Sequence, residues 1–175
     1  MKRRIALIST GGTIEKTYDE LSGVLANHVS VLDVMLVSLE LRGVEVQRVQ
    51  LMNKDSLEMT DDDHTLIAET AKRMAEAMHG VVIVHGTDRL AHSGERIVEL
   101  VGTPRTPIVL TGAMRPYELR STDALQNLTE ALLAVQLLAP GVYVSMHNQV
   151  LKFPGVRKDK DKGTFVKDPL GPPGG

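Results

Sequence analysis

This sequence of 175 residues lacks cysteine and has very few aromatic residues. Without cysteine, disulfide bonds, a thiol nucleophile and thiolate metal sites are excluded. Aromatic residues make up 3% of the chain, so the stacking platforms that bind single-stranded nucleic acid are nearly absent. The formal net charge of −2 gives no electrostatic argument for nucleic acid either. We therefore expect a protein that does not bind nucleic acid.

Long apolar runs are missing as well. No segment approaches the roughly 18 consecutive apolar residues that a membrane-spanning helix needs. The N-terminal segment MKRRIALIST is too short, and too soon followed by glycine, to be a signal peptide. Hydrophobic residues still make up 42% of the chain, which is enough for the core of one domain of ordinary size. We expect a cytoplasmic protein that does not contact a membrane.

Short apolar runs alternate along the chain with segments that have the spacing of amphipathic helices. The runs predict strands over residues 5–8, 44–51, 81–84, 108–110 and 142–146. The intervening segments predict helices over residues 30–42, 61–79, 93–101 and 121–138. Strands that alternate with helices in this way form a parallel sheet with right-handed crossovers. The prediction is a single three-layer α/β/α domain of Rossmann or flavodoxin type over residues 1–163, followed by an irregular tail over residues 164–175.

Four of the predicted strands end in polar turns, and these turns would meet at the edge of a parallel sheet where α/β proteins bind ligands. The turns are residues 11–13, 52–56, 85–88 and 111–116. They supply backbone N–H groups that can hold an anion, and the side chains of Thr13, Ser56, Thr87 and Asp88. An activated hydroxyl at such an edge suits acyl transfer on a small polar molecule. Threonine and glycine also serve as plain caps and turn formers, so the pattern alone leaves both interpretations open.

Other known site motifs are absent from the sequence. The first turn lacks the further glycine of a dinucleotide fingerprint, and there is no phosphate-binding loop and no Gly-x-Ser-x-Gly elbow. The six histidines lack metal-ligand spacing, so we expect no metal site. His85, at the end of a strand, is interpreted as a packed or hydrogen-bonded residue rather than a general base. Residues 14–27 form a polar segment beside the expected site, which is either a mobile lid or a plain surface connection.

Three segments resemble the signature segments of the bacterial L-asparaginase family: residues 9–14 (STGGTI), 85–88 (HGTD) and 111–116 (TGAMRP). The third segment is followed, at family-like spacing, by Ser121, Asp123 and Asn127. The resemblance covers nearly the whole chain. It implies an L-asparaginase that hydrolyses L-asparagine to L-aspartate and ammonia through a threonine acyl-enzyme, without a cofactor.

The resemblance also implies catalytic roles for individual residues. Thr13 would be the nucleophile, and Tyr18 would lie beside it on the mobile segment. Thr87, Asp88 and Lys158 would form a second catalytic group. Counting forward through the family's last strand pair selects Lys158, and composition alone could not have chosen it among its charged neighbours.

A second set of residues is implied to bind the small-molecule substrate. The Ser56 hydroxyl would help to bind the α-carboxylate of L-asparagine, and Asp88 would bind its α-ammonium group. The full substrate-binding set is Gly12, Asp55, Ser56, Gly86, Thr87, Asp88 and Ala113. A structural role, in shaping the last turn and capping the fourth helix, is expected for Thr111, Arg115, Ser121 and Asp123.

The chain also departs from the family pattern. Members usually carry a second, C-terminal domain that completes a neighbour's active site, and this sequence shows none. Leu57 stands where many relatives have a glutamine that contacts the substrate. Because each charge-assisted hydrogen bond contributes roughly 1.5–3 kcal/mol, we expect weaker substrate binding than in full-length relatives, with the chemistry intact. Self-association would cover the apolar surface left by the missing domain, so we expect a homo-oligomer.

Two alternatives to a self-sufficient asparaginase stay open. One is a non-catalytic domain that binds an amino acid or serves as an interaction subunit, although the presence of both threonines and the lysine argues against it. The other is an amidase subunit that acts on a larger amide within a complex. Such a subunit would show little activity on free asparagine unless its partner is present.

Overall fold

The computed structural model describes residues 1–28 and 30–168, and every element named below lies in that part of the chain. Its α-helices are α1 (Leu32–Val37), α2 (Asp61–Ala77), α3 (Leu90–Val101) and α4 (Ala124–Leu137). Its strands are β1 (Arg3–Gly11), β2 (Thr17–Asp19), β3 (Val24–Ala26), β4 (Val44–Lys54), β5 (Gly80–Val84), β6 (Ile108–Thr111), β7 (Val142–Met146), β8 (Gln149–Lys152), β9 (Val156–Asp159) and β10 (Thr164–Lys167). None of the described helices is long and apolar enough to cross a membrane.

Six strands form the central sheet, in the order β4-β1-β5-β6-β7-β8. The first five strands in this order run parallel to one another, whereas β8 is antiparallel to β7. Numbered along the chain, the five parallel strands have the flavodoxin-type order 2-1-3-4-5. The second strand is added on one side of β1 and the later strands on the other, so the order of addition reverses between β1 and β5. The predicted, mainly parallel sheet is confirmed. Its reversal point marks the edge at which such folds bind ligands.

Apolar side chains pack on both faces of the sheet, as expected for parallel strands that are covered on both sides. From β1, Ile5 and Leu7 enter the core shared with α1 and α4, whereas Ala6 and Ile8 enter the core shared with α2 and α3. The period-two alternation of a strand therefore distributes one short apolar run between two cores. The predicted three-layer α/β/α architecture is confirmed.

The first predicted helix is much shorter than its apolar spacing indicates. Helix α1 covers Leu32–Val37, whereas the spacing predicts residues 30–42. The Ser38 hydroxyl donates to the Met35 carbonyl at 2.6 Å, and a serine that bonds to the backbone competes with the next helical turn. The prediction is therefore wrong for residues 38–42.

Other element boundaries differ from the predictions by fewer residues. Strand β4 continues past its predicted end to Lys54, because it pairs with β1 as far as Gly11 across a register shift. Helix α3 begins earlier than predicted, at Leu90. Helix α4 begins later, at Ala124, because the Thr122 hydroxyl accepts the Ala124 N–H at 3.0 Å and so caps the helix there.

Two small hairpins lie outside the central sheet. Strands β2 and β3 pair in the polar segment after β1, and the lid function of that segment stays a prediction. Strands β9 and β10 pair in the charged segment near the end of the chain. The predicted irregular tail is thus wrong at its start, because Phe165 of β10 is buried in the core and anchors that strand. Residues 169–175 of the predicted tail lie outside the described residues.

Candidate active site

The turns at the reversal point of the sheet depend on glycine and touch one another. Gly12 follows β1 with a φ of 82°, in the region that favours glycine. A Cβ atom on Gly12 would lie well under 3.0 Å from the Gly86 backbone, and one on Gly86 would lie 2.6 Å from the Ser56 hydroxyl oxygen. The Gly12 N–H also donates to the Lys54 carbonyl at 2.9 Å. The turns after β1, β4 and β5 are therefore in direct contact.

Lys158 joins the turn after β5 in a compact polar cluster, which we call the lysine cluster (Thr87, Asp88 and Lys158). The Lys158 ammonium donates to Thr87 Oγ1 and to Asp88 Oδ1, each at 2.8 Å. Thr87 is buried, and the Lys158 side chain is 13% exposed. Asp88 is more open, with 39% of its side chain exposed. The structure thus brings together the three residues that the resemblance assigned to one group.

The β9–β10 hairpin carries Lys158, and the packing of this hairpin fixes the position of the ammonium. The Phe153 ring lies so close to Gly94 of α3 that any Cβ atom there would collide with it. The Gly155 N–H donates to the Glu95 carboxylate of the same helix at 2.6 Å. Each strand of the hairpin also contributes one side chain to the core, Val156 from β9 and Phe165 from β10.

Thr13 lies half-buried at the start of a 3₁₀ turn directly after β1. In the same turn, the buried Glu15 carboxylate accepts the Gly11 N–H at 2.8 Å and the Ser30 hydroxyl at 2.6 Å. Burial raises the pKa of Glu15 above its ordinary value, and these hydrogen bonds oppose the rise. From the other side, Asn27 donates to the carbonyl of the residue before Thr13 at 2.9 Å. Sequence reasoning missed both anchors, because a lone glutamate or asparagine in a polar segment gives no signal of burial.

The turn after β4 places two predicted substrate-binding residues in different environments. Ser56 is 1% exposed, and its hydroxyl accepts the Arg89 N–H at 3.3 Å. The Asp55 carboxylate accepts the Leu57 N–H at 3.0 Å and the Lys16 ammonium at 2.9 Å, and these partners lower the pKa of Asp55. Both Asp55 oxygens therefore have partners within the protein, and the residue braces the turn. Leu57 is 62% exposed beside it.

Two other predicted site residues lie apart from the lysine cluster. The Tyr18 side chain, on β2, is 59% exposed, and its backbone N–H donates to Glu118 at 2.6 Å. The structure thus does not bring the Tyr18 hydroxyl into the cluster. Ala113 is 1% exposed, and its methyl group belongs to the core shared with α4. Its side chain therefore faces the core, and a contact with substrate through its backbone stays a prediction.

The turn after β6 is organised by Asp123, which is buried. Its carboxylate accepts the N–H groups of Met114 and Arg115 at 3.0 and 2.9 Å, and a ring N–H of His147 at 2.7 Å. Burial acts to raise the pKa of Asp123, but these hydrogen bonds outweigh it, so the pKa lies below its ordinary value. The structure confirms that Asp123 shapes this turn. It does not cap α4 through its side chain, since the Thr122 hydroxyl does so.

Two buried histidines lie close together, with ring centroids 6.1 Å apart. The Nδ1 atom of His85 bonds to the Gly86 carbonyl at 2.8 Å, which confirms that His85 is a hydrogen-bonded residue. His64, on α2, is also fully buried. Burial is the main cause that lowers the pKa of each imidazole to about 4. Among the described residues, no group of three or more His, Cys, Asp or Glu side chains could hold a metal ion.

Acid is expected to destabilise the fold through these two histidines. Their pKa is 6.5 ordinarily and about 4 in the folded protein, so the unfolded chain binds more protons between these values. The free energy of unfolding is therefore undiminished above pH 6.5. It falls as the pH drops toward 4, by up to about 1.4 kcal/mol per pH unit for each histidine.

Urea unfolding at pH 5 and pH 7 measures this dependence. His64→Phe removes one of the two buried titrating groups, so its stability should fall less between pH 7 and pH 5 than that of the wild type. The exposed residue His28 offers a matched control, because His28→Phe leaves both buried histidines in place. An equal pH dependence in all three proteins would contradict the assignment.

The chain is similar to known proteins along most of its length. It matches the family model described as asparaginase, N-terminal, over residues 4–166. It is 29% identical over 150 residues to an L-asparaginase from Thermococcus kodakarensis, covering 85% of this chain and 45% of that protein. It is 33% identical over 145 residues to a subunit of the glutamyl-tRNA(Gln) amidotransferase from Haloquadratum walsbyi, covering 82% of this chain and 33% of that protein.

A solved structure of a probable cytoplasmic L-asparaginase from Campylobacter jejuni matches with a TM-score of 0.79 and 31% identity, covering 95% of this chain and 53% of that one. The chain thus spans from a third to about half of the length of these relatives. The residues matched by the family model include the turns after β1, β4 and β5 and all but the last residue of the hairpin that carries Lys158. Since that match covers nearly the whole chain, the protein belongs to the asparaginase family and corresponds to its N-terminal domain.

Proposed function

We propose that this domain hydrolyses the side-chain amide of L-asparagine, giving L-aspartate and ammonia. The observation that carries the proposal is the lysine cluster, in which one ammonium donates to both Thr87 Oγ1 and Asp88 Oδ1 at 2.8 Å. A hydroxyl, an ammonium and a carboxylate in direct contact can relay a proton. The cluster lies at the edge where doubly wound sheets bind ligands. It lies beside the glycine turn that carries a second threonine, Thr13.

The proposed reaction has two balanced steps. In the first, the Thr13 oxygen bonds to the amide carbon of the substrate side chain, and the C–N bond breaks. The hydroxyl proton passes to the departing nitrogen, so ammonia leaves and an ester remains on Thr13. In the second step, water adds to the ester carbon, the bond to Thr13 breaks, and the threonine regains a proton. Backbone N–H groups of the glycine turns would stabilise the oxyanion in both steps.

Substrate recognition would use the polar groups at the same edge. Lys158 binds Oδ1 of Asp88, so the second oxygen of that carboxylate can accept the α-ammonium group. The Ser56 hydroxyl accepts the Arg89 N–H and still has its own proton to donate to the α-carboxylate. We therefore assign the α-ammonium group to Asp88 and the α-carboxylate to Ser56.

A second candidate function is that of an amidase subunit that needs a partner. The 33% identity to the glutamyl-tRNA(Gln) amidotransferase subunit favours it. Such a subunit would use the same threonine and lysine chemistry, yet it would release little ammonia from free asparagine. The homo-oligomer and the cytoplasmic location expected from the sequence both stay predictions.

Ammonia release and ligand binding, measured on the purified full chain, separate these functions. The substrates are L-asparagine and L-glutamine, and calorimetry with L-aspartate measures binding without turnover. Release from L-asparagine would support the proposal, and a KM in the low micromolar range would contradict the weaker substrate binding expected from the sequence. Binding without release would favour the non-catalytic alternative. A folded protein with neither property would favour the partner-dependent subunit.

Lys158→Met is expected to lower kcat for L-asparagine by about 10²-fold or more, because the variant removes the ammonium that contacts both other members of the cluster. Methionine keeps the length of the apolar stem, so the packing of β9 should persist. Lys160→Met is the matched control, since Lys160 lies two positions away and is exposed. Equal kcat values for Lys158→Met, Lys160→Met and wild type would exclude a catalytic role for Lys158.

A further inference from the structure

A chain of buried side chains connects the turn after β5 to helices α3 and α2. His85 Nδ1 lies 2.8 Å from the Gly86 carbonyl oxygen, and His85 Nε2 lies 2.7 Å from the Ser93 hydroxyl oxygen. The same Ser93 oxygen lies 2.6 Å from His64 Nδ1. All three side chains of the chain are fully buried, with no exposed surface. His64 Nε2 is buried as well and has no hydrogen-bond partner among the described residues.

The direction of every hydrogen bond in this chain follows from its first acceptor. A carbonyl oxygen accepts, so His85 must carry its proton on Nδ1 to bond to Gly86. The Nε2 atom of a neutral His85 is then an acceptor, and the Ser93 O–H must donate to it. The Ser93 oxygen in turn accepts the Nδ1–H of His64. This order leaves His64 Nε2 unprotonated, and its lone pair has no partner among the described residues.

The Gly86 carbonyl sets the tautomer of His85, and Ser93 supplies the donor that the Nε2 lone pair then needs. Without that donor, the imidazole would lose one of the two hydrogen bonds that hold it against the Gly86 carbonyl. That carbonyl belongs to the same planar peptide unit as the Thr87 N–H, so any rotation of the unit moves the backbone of Thr87. Thr87 is a member of the lysine cluster, and its hydroxyl accepts from Lys158.

We propose that Ser93 is a positioning residue for the amide-hydrolysis site: its hydroxyl donates to His85 Nε2, holds the imidazole in place and thereby fixes the Gly86–Thr87 peptide beneath the lysine cluster. The catalytic part of this inference rests on the proposed function, whereas the hydrogen-bond part does not. The Ser93 hydroxyl bonds to His85 and His64 and not to the lysine cluster. It acts through His85 from the first turn of α3.

The tautomer is read by ¹H–¹⁵N correlation spectra of the histidine rings in the ¹⁵N-labelled full chain at neutral pH, assigned with His85→Gln. In the wild type, the Nδ1 signal of His85 should have the shift of a protonated nitrogen, and Nε2 that of a bare one. In Ser93→Ala, Nδ1 should stay protonated, and the Nε2 signal should move to the shift of a bare nitrogen that accepts no hydrogen bond. The opposite tautomer in the wild type would overturn the proposal, whether or not Ser93→Ala folds.

Activity gives the second readout. Ser93→Ala should lower kcat/KM for L-asparagine about tenfold, the factor that corresponds to one buried hydrogen bond. Ser93→Thr keeps the hydroxyl and should keep both the wild-type Nε2 shift and the wild-type rate. Ser145→Ala removes another fully buried serine hydroxyl, away from this chain, and should change neither. A Ser93→Ala protein with the wild-type spectrum and rate would overturn the proposal.

The two readouts keep this inference separate from the proposed function. If the wild type releases no ammonia, the proposed function fails, yet the spectra still test whether Ser93 donates to His85 Nε2. If ammonia is released and the spectra of wild type and Ser93→Ala are the same, the asparaginase proposal stands and the role of Ser93 fails.

Discussion

Replacing Thr13 by alanine is expected to lower the hydrolysis of L-asparagine by roughly 10⁴-fold or more, the scale seen when a covalent nucleophile is removed. The effect should fall on kcat, because the variant removes the atom that forms the acyl-enzyme. The fold should persist, since Glu15 and Asn27 hold this turn through backbone groups and not through the Thr13 hydroxyl. Steady-state ammonia release, together with urea unfolding, measures both properties.

Two controls make the Thr13 result specific. Thr13→Ser keeps a hydroxyl at this position and should retain measurable activity, whereas Thr129→Ala removes an exposed hydroxyl on α4 and should act like the wild type. Hydroxylamine tests the ester directly, because it competes with water for an acyl-enzyme and yields a hydroxamate. Full activity in Thr13→Ala, or hydroxamate formed by that variant at the wild-type rate, would remove Thr13 from the mechanism.

Gly12→Ala is expected to destabilise the protein by about 3 kcal/mol or more and to abolish hydrolysis. The backbone of Gly12, with φ 82° and ψ −179°, lies in a region that is strained for every other residue, at a cost of about 1–3 kcal/mol. A methyl group there would also lie well under 3.0 Å from the Gly86 backbone. Relief of that collision must separate the turns after β1 and β5, and overpacking of this kind costs about 1–3 kcal/mol more.

Gly23→Ala is the matched control for Gly12→Ala. Gly23 also has a positive φ, of 69°, but a Cβ atom there would meet nothing within 4 Å. This variant should lose about 1–2 kcal/mol from backbone strain alone and keep its activity if the β2–β3 hairpin holds its shape. Urea unfolding compares the two. Equal losses of stability would mean that the contact between the Gly12 and Gly86 backbones does not constrain the site.

Local pattern was sufficient to predict the five parallel strands of the sheet and the edge that carries the candidate site. A buried parallel strand is a short apolar run, and its end is marked by a polar turn with glycine, so residues 81–84 followed by HGTD could be interpreted without a structure. The ends of helices were harder to predict. Ser38 ends α1 through a hydrogen bond to Met35 that apolar spacing does not encode.

Long-range contacts account for what the pattern could not predict. Lys158, Lys160 and Lys162 lie in one charged segment with similar neighbours, so the local sequence does not distinguish them. The contact of Lys158 with Thr87 depends on how the hairpin packs on α3. Resemblance to a family was needed to select it. The pairing of Ser93 with two histidines likewise joins α2, α3 and a turn, and neither helix shows a motif for it.

The hairpin that carries Lys158 also has a consequence for the order of events during synthesis. Asp88 and Lys158 are 70 residues apart in sequence, and β9 needs β10 as its partner. A nascent chain that folds from its N-terminus can form β1, β5 and the glycine turns while Lys158 is still inside the ribosome. Strands β1 and β5 can therefore pair before the lysine cluster is complete, and the proposed hydrolysis would begin only after β10 has emerged.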